Sequence, residues 1–221
     1  MRYGVLGTGV VGQTLGSALV RSGHEVCMGS RTDPHAGSAA WAAEVGDGVS
    51  TGSFSEAARF GETVINCTAG VHSLAALDAA GSDVLADKIV VDVANPLDFS
   101  GGFPPRLAVD EGDSLAEQIQ RRFPRSRVVK ALNTVTASVM VDPGSLPEAT
   151  DVFICGDDAD AKLAVTELLT TWGWEHARVR DLGRLDQARA TERYLLLWLA
   201  LMGTVSSPDF NVRIVRAEDM A

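Results

Sequence analysis

Long apolar runs are missing from this chain. The most extended one, Tyr194 to Met202, falls far short of the roughly twenty residues that span a bilayer. The first residues also lack the charged-then-apolar pattern of a secretory leader. No membrane partner and a cytoplasmic location are therefore the expectation. Cysteine is scarce as well: the chain has 3, Cys27, Cys67 and Cys155, each within an apolar run and far from the others. With no CxxC pair and no His/Cys cluster they outline neither a disulfide framework nor a metal site, and they read as core thiols. Positive charge is in the minority, 19 Lys and Arg against 29 Asp and Glu, for a net charge of −10. Nucleic acid and anionic membranes both call for an extended basic face, so neither is expected as a partner.

What is present begins at the N-terminus. The apolar run Tyr3 to Leu6 leads into Gly7-Thr8-Gly9-Val10-Val11-Gly12, a GxGxxG string. Behind it Val11, Leu15, Ala18 and Leu19 recur at helical spacing up to the stop at Ser22-Gly23, and a β-rich run, His24 to Met28, follows. Strand, glycine loop, helix and strand are the context in which such a loop cradles a dinucleotide. One glycine makes the turn, one lets the backbone approach the pyrophosphate, and one lets the helix pack on the strand. The helix start then presents unpaired N–H groups to the phosphates.

The end of the second strand selects the dinucleotide. NAD-selective loops place an acid there for the ribose hydroxyls, whereas this chain reads Met28-Gly29-Ser30-Arg31-Thr32. A serine hydroxyl and an arginine guanidinium suit a 2′-phosphate, which an acid would repel. NADP(H) is the expected ligand. The competing reading leaves Arg31 in solvent and gives the ribose contact to Asp33.

The alternation continues with helices at about His35 to Glu44, Ser53 to Phe60, Ser73 to Ala80 and Asp160 to Trp172. Strands are expected at Thr63 to Cys67, Lys88 to Val93, Arg127 to Leu132, Asp151 to Cys155 and Glu175 to Arg180. Near-continuous apolar strands between helices predict a doubly wound, mostly parallel α/β sheet of Rossmann type. At 221 residues with 46% hydrophobic composition, the chain can bury one good core and a small second lobe. We divide it into a nucleotide-binding domain, 1–155, and a small, mainly helical C-terminal lobe, 156–221. A last helix, Leu185 to Met202, turns apolar on all sides at Tyr194 to Leu199, which predicts burial in that lobe or a homodimer contact.

Ligands of a doubly wound sheet sit outside the carboxyl ends of the strands. The turns there are Thr68-Ala69-Gly70-Val71-His72, Ala94-Asn95-Pro96-Leu97 and Asn133-Thr134-Val135-Thr136, all small or polar. His72 suits the orientation of a ring amide better than proton transfer. Arg121, Arg122, Arg125, Arg127 and Lys130 crowd into ten residues, a candidate anion-receiving patch that reads equally well as a solvated helix end.

Gly7-Thr8-Gly9, Gly29-Ser30-Arg31, Val129-Lys130-Ala131-Leu132-Asn133-Thr134 and Cys155-Gly156-Asp157-Asp158 follow one another in the order and spacing of the NADPH-dependent reductases of coenzyme F420, which the chain resembles along nearly its whole length. Asn95-Pro96-Leu97, the Phe99 to Pro105 stretch and Leu182-Gly183 resemble its bacterial branch. The resemblance implies a cleft where deazaflavin and nicotinamide rings stack. It implies that Thr8, Ser30 and Arg31 hold the NADP phosphates, with Thr68 to His72 and Asn133 to Val135 lining the ring site.

Two rings that carry their own reactivity need no catalytic residue from the protein, only alignment. The basic cluster would then receive the anionic tail of the deazaflavin. Departures from the family pattern concern the ring pocket: the archetypal Thr-Ile-Pro turn is here Thr68-Ala69-Gly70, and an archetypal histidine and proline are here Asn133 and Thr136. The glycine loop is also similar to that of the nucleotide domain of ferric reductases. Another NADPH-dependent reductase, acting on a flavin, ketone, imine or ferric acceptor, is the enzymatic alternative. For a ketone or imine, Lys130, Asn133 and His72 would be the convergent donors. A non-catalytic NADPH-binding sensor is a third reading.

Overall fold

A computed structural model of the protein describes residues 1–32 and 36–217. Asp33, and with it the alternative ribose contact, lies outside the described residues, as does His35 at the expected start of the second helix. The strands are β1 (Arg2–Leu6), β2 (Glu25–Ser30), β3 (Val49–Ser53), β4 (Thr63–Asn66), β5 (Ile89–Asp92), β6 (Leu97–Asp98), β7 (Arg106–Leu107), β8 (Arg127–Ala131), β9 (Val152–Gly156) and β10 (Val179–Asp181). Between them lie α1 (Val10–Arg21), α2 (Ala36–Val45), α3 (Phe54–Phe60), α4 (Gly70–Ala80), α5 (Ser82–Leu85), α6 (Leu115–Arg122), α7 (Ala137–Val141), α8 (Ala159–Thr171) and α9 (Ala188–Val205).

Eight strands make one sheet in the order β10-β9-β8-β5-β4-β1-β2-β3, and β6 and β7 form a separate hairpin. All neighbours in the large sheet are parallel except β8 and β9, so β9 and β10 run against the rest. From β1 the chain winds outward to β3, then returns to β4 on the other side and winds out again. The reversal leaves a crevice between the carboxyl ends of β1 and β4, where a doubly wound sheet binds its ligand. Both faces are covered. Leu15 and Leu19 of α1, Trp41 of α2 and Val165 and Leu169 of α8 pack on one. Ala57 and Ala58 of α3, Leu77 of α4 and Ile119 of α6 pack on the other. Burial on two sides is why the central strands read as unbroken apolar runs.

Helix starts follow local chemistry. Ser53 and Glu56 make a reciprocal capping box on α3, and Asp158 accepts the Ala161 N–H at 2.7 Å to cap α8.

Several sequence expectations need correction. Strand β3 was not expected, because Val-Ser-Thr-Gly-Ser has little apolar content and sits at the sheet edge, paired only with β2. The strand expected over Glu175 to Arg180 is instead a 3-10 turn, His176–Arg178, followed by β10. Cys67 stands one residue past β4, beyond the strand it was expected to join. The stretch from 156 onward adds α8 and β10 to the main sheet before α9 departs from it. In α9, Leu195 is buried, but Leu196 and Leu197 are 44% and 55% exposed, so this chain alone does not bury the apolar run.

Candidate functional site

The loop after β1 is shaped by close approach. Gly7 has φ +117°, and a Cβ there would stand 2.7 Å from the Cys67 carbonyl oxygen; one on Gly12 would stand 2.1 Å from the Gly7 oxygen. Its ends continue the ladder, since the Gly7 N–H reaches the Gly29 oxygen at 3.0 Å and the Cys67 N–H reaches the Leu6 oxygen at 2.8 Å. Gly9 differs: a Cβ there would meet nothing within 4 Å. Gly9 is also the N-cap of α1, and no side chain caps that helix. The N–H groups of Val10, Val11 and Gly12 consequently have no partner among the described residues, and a helix of 12 residues aims its positive end into open space. That arrangement can hold an anion.

Ser30 and Arg31 follow at the end of β2, beside the loop. Ser30 is buried and its hydroxyl donates to the Thr32 carbonyl, whereas Arg31 is exposed. No acid stands between Glu25 and Arg31 in this part of the chain.

Next to the loop opens a cavity of about 580 Å³. Val10, Val11, Cys67, Thr68, Ala69, Gly70 and Val71 form one wall, and Ala94, Asn95, Asn133, Val135 and Thr136 another. The hairpin residues Leu97 and Phe99, Met140 of α7, and Leu195 and Trp198 of α9 close it from above. Polar order within it is specific. The Asn95 Nδ2 donates to the Asn133 carbonyl at 2.8 Å, which turns its Oδ1 toward Asn133, whose Nδ2 donates back at 2.9 Å. Asn133 Oδ1 is then left buried without a partner among the described residues. An orphan acceptor of this kind costs about 1–3 kcal/mol unless a ligand or water supplies a donor. Cys67 adds an uncharged thiol, held protonated by burial and by the nearby Asp92 charge.

Of the residues expected at the ring site, Thr68, Ala69, Asn95, Asn133 and Val135 do meet at this cavity, together with Val10 and Val11. His72 does not: it is exposed on the first turn of α4, outside the lining, whereas its neighbours Gly70 and Val71 are part of it. Thr134 is buried beneath the turn and also lies outside the lining.

Lys130 is no free donor, being fully buried with its ammonium on Asp92 and Glu192. The basic cluster's four arginines lie outside the lining of this cavity. Arg121 sits on Asp113, Arg122 on Asp78 and Arg125 on Asp87, and Arg127 donates to the Asp87 carbonyl. Arg125 and Arg127 stand at the amino ends of β5 and β8, opposite the cleft. Sequence reasoning missed the roof, Phe99, Met140, Leu195 and Trp198, because nothing local announces that distant apolar residues converge.

The first part of the chain, residues 2–96, matches the family described as NADP oxidoreductase, coenzyme F420-dependent. A solved structure from Arthrobacter sp. FB24, provisionally named an F420-dependent NADP reductase, is 46% identical with a TM-score of 0.92, covering 97% of this chain and 99% of that one. The F420-dependent NADP reductase of Methanothermobacter marburgensis is 30% identical over 210 residues, 91% of this chain and 92% of that protein. Metalloreductase STEAP3 of Rattus norvegicus is 32% identical over 192 residues, 86% of this chain; the chain thus spans only 36% of that relative's length.

Proposed function

The chain belongs to the family of F420-dependent NADP reductases, and from that premise we propose that it is an oxidoreductase moving a hydride between NADP(H) and the deazaflavin coenzyme F420. The observation that carries the reading is the uncapped start of α1 at Gly9, opening beside a cavity of about 580 Å³ at the sheet's reversal point. The loop Gly7, Thr8, Gly9, Val10, Val11 and Gly12 receives the pyrophosphate, and its free N–H groups are the donors. Ser30 and Arg31 take the 2′-phosphate. Thr68, Ala69, Asn95, Asn133 and Val135 border the rings, and the orphan Asn133 Oδ1 fits a ligand that brings an N–H donor, as a nicotinamide carboxamide does.

Both ring systems bring their own hydride chemistry, so no nucleophile, metal or obligatory acid is required of the protein. The chain's contribution is to align and to dry: Val93, Val135, Met140, Leu195 and Trp198 give the cavity apolar walls. A ketone or imine acceptor would want a proton donor at the developing charge. Lys130 has spent all its protons on Asp92, Glu192 and the Ala94 carbonyl, and His72 faces solvent. That distribution favours a second ring carrier over a ketone or imine acceptor.

In the same reading residues 1–155 bind the nucleotide and 156–221 supply the Leu195 and Trp198 part of the roof. The protein acts in the cytoplasm as a homodimer joined through the exposed Leu196 and Leu197 of α9. Incubation with NADPH and oxidised F420, flavin mononucleotide or a ketone panel, following nicotinamide absorbance, tests the acceptor. Turnover only with F420 is expected; tight NADPH binding with no turnover on any of them would leave the sensor reading in its place.

A further inference from the structure

Glu192 comes one turn before Leu195 and nearly two before Trp198, the residues that roof the cavity. Its carboxylate nevertheless points into the body of the protein. It accepts the N–H groups of Leu115 at 2.9 Å and Ala116 at 3.2 Å, at the start of α6, and lies 2.9 Å from the Lys130 ammonium. Lys130 gives its other protons to Asp92 at 2.8 Å and to the Ala94 carbonyl. Asp92 Oδ1 accepts Asn66 Nδ2 at 2.8 Å and the Ala94 N–H at 3.3 Å, and Asn66 Oδ1 accepts the Thr68 hydroxyl at 2.7 Å. Thr68 and Ala94 are walls of the cavity. An unbroken buried polar line therefore joins the strand-end turns to the roof helix.

We propose that Asp92, Lys130 and Glu192 form a strut that holds α9 at a set height above the strand ends, making them positioning residues for the hydride transfer proposed above, on which this inference rests. Net stability does not account for them, since apolar side chains of similar volume commonly replace a buried ion pair at no cost. Directional bonds are what an apolar replacement lacks. Each of the three Lys130 protons has one acceptor, two of them at the end of β5 and its turn, Asp92 and the Ala94 carbonyl, and the third on α9, Glu192. The helix start of α6 and the Asn66 amide offset the surplus negative charge. Burial alone would drive the Lys130 ammonium down, but the Asp92 and Glu192 carboxylates outweigh it and hold it above its ordinary value, so Lys130 stays an ammonium at neutral pH.

Misplacement of reacting groups by about 1 Å costs on the order of a hundredfold in rate, whereas the nucleotide's phosphates bind elsewhere, on the α1 loop. The test uses Glu192→Gln and, should that variant not fold, the combined Asp92→Asn, Lys130→Met and Glu192→Met, which removes the three buried charges together. 2′,5′-ADP, which lacks the nicotinamide, reports the phosphate site; single-turnover transfer from NADPH to saturating F420 reports ring alignment. The strut predicts a 2′,5′-ADP Kd within about twofold of wild type and a transfer rate at least about tenfold lower, a loss in kcat that added F420 does not restore. Transfer within about twofold of wild type overturns it, and so does loss of 2′,5′-ADP binding in both variants, which would make the residues purely structural. If wild type itself transfers nothing to F420, the functional reading fails separately. The strut is then judged by the NADPH to 2′,5′-ADP affinity ratio, which must fall at least about fivefold in the variants.

Discussion

Gly9→Ala separates nucleotide binding from folding. Gly9 has φ −79° and ψ −176°, a conformation open to alanine, and the added methyl meets nothing within 4 Å. Alanine restricts the unfolded chain, worth about 0.4–1 kcal/mol in favour of folding, but caps a helix less well than glycine by a comparable amount. The two effects nearly cancel, and Tm should move by no more than about 2–4 °C. The same methyl stands beside the free N–H groups of Val10, Val11 and Gly12, where a pyrophosphate has to approach. Loss of one charge-assisted hydrogen bond is worth about 1.5–3 kcal/mol, or roughly a 10- to 150-fold rise in Kd. Calorimetric titration with NADPH, paired with thermal melting of the nucleotide-free protein, measures both. An NADPH Kd within about threefold of wild type would refute the placement of the phosphates. Gly12→Ala is the counterpart: with its Cβ 2.1 Å from the Gly7 oxygen, it should lose about 1–3 kcal/mol of stability along with binding.

Arg31→Ala should raise the NADPH KM by roughly 10- to 100-fold and leave NADH nearly unchanged, because only the 2′-phosphate loses a partner; equal effects on both in steady-state assays would contradict the NADP assignment. Changing Arg121, Arg122 and Arg125 to Gln should leave the KM for F420 unaltered at low salt, since each already faces an acid away from the cleft. A raised KM would restore them as a landing site. The Cys155 thiol, pushed up to about 12 by burial, is only about one part in ten thousand thiolate at pH 8. Iodoacetamide should therefore label it only after unfolding, as peptide mass mapping with and without urea would show.

The parts of the fold legible in the sequence were those with local causes. Tyr3 to Leu6, the glycine loop and helix α1 are contiguous, and two-sided burial writes itself into β4, β5 and β8 as unbroken apolar runs. Gly12 was readable for the same reason, as it answers to the adjacent Gly7 oxygen, whereas Gly7 answers to the distant Cys67 carbonyl and Gly9 to no neighbour within 4 Å. Strand β3 was not, because an edge strand needs little apolar content. Ring-site residues on turns were only partly legible: Thr68 and Asn133 reach the cavity, but whether His72 does depends on where α4 begins, a matter of one residue. Lys130 looked like an available cation because its partners, Asp92 and Glu192, are 38 and 62 residues away in sequence. The apolar run of α9 was visible, yet its division into Leu195 and Trp198 over the cavity and Leu196 and Leu197 toward solvent is set by packing that no local pattern encodes.

The most direct test of the proposed activity follows the hydride itself. Protein mixed with NADPH carrying deuterium at the transferable position of the nicotinamide, and with oxidised F420, should yield reduced F420 bearing that deuterium on its ring carbon, by mass spectrometry, in amounts equal to the NADP formed. Reduced F420 without the label, or NADPH left unconsumed while bound, would contradict direct transfer between two rings held in this cavity.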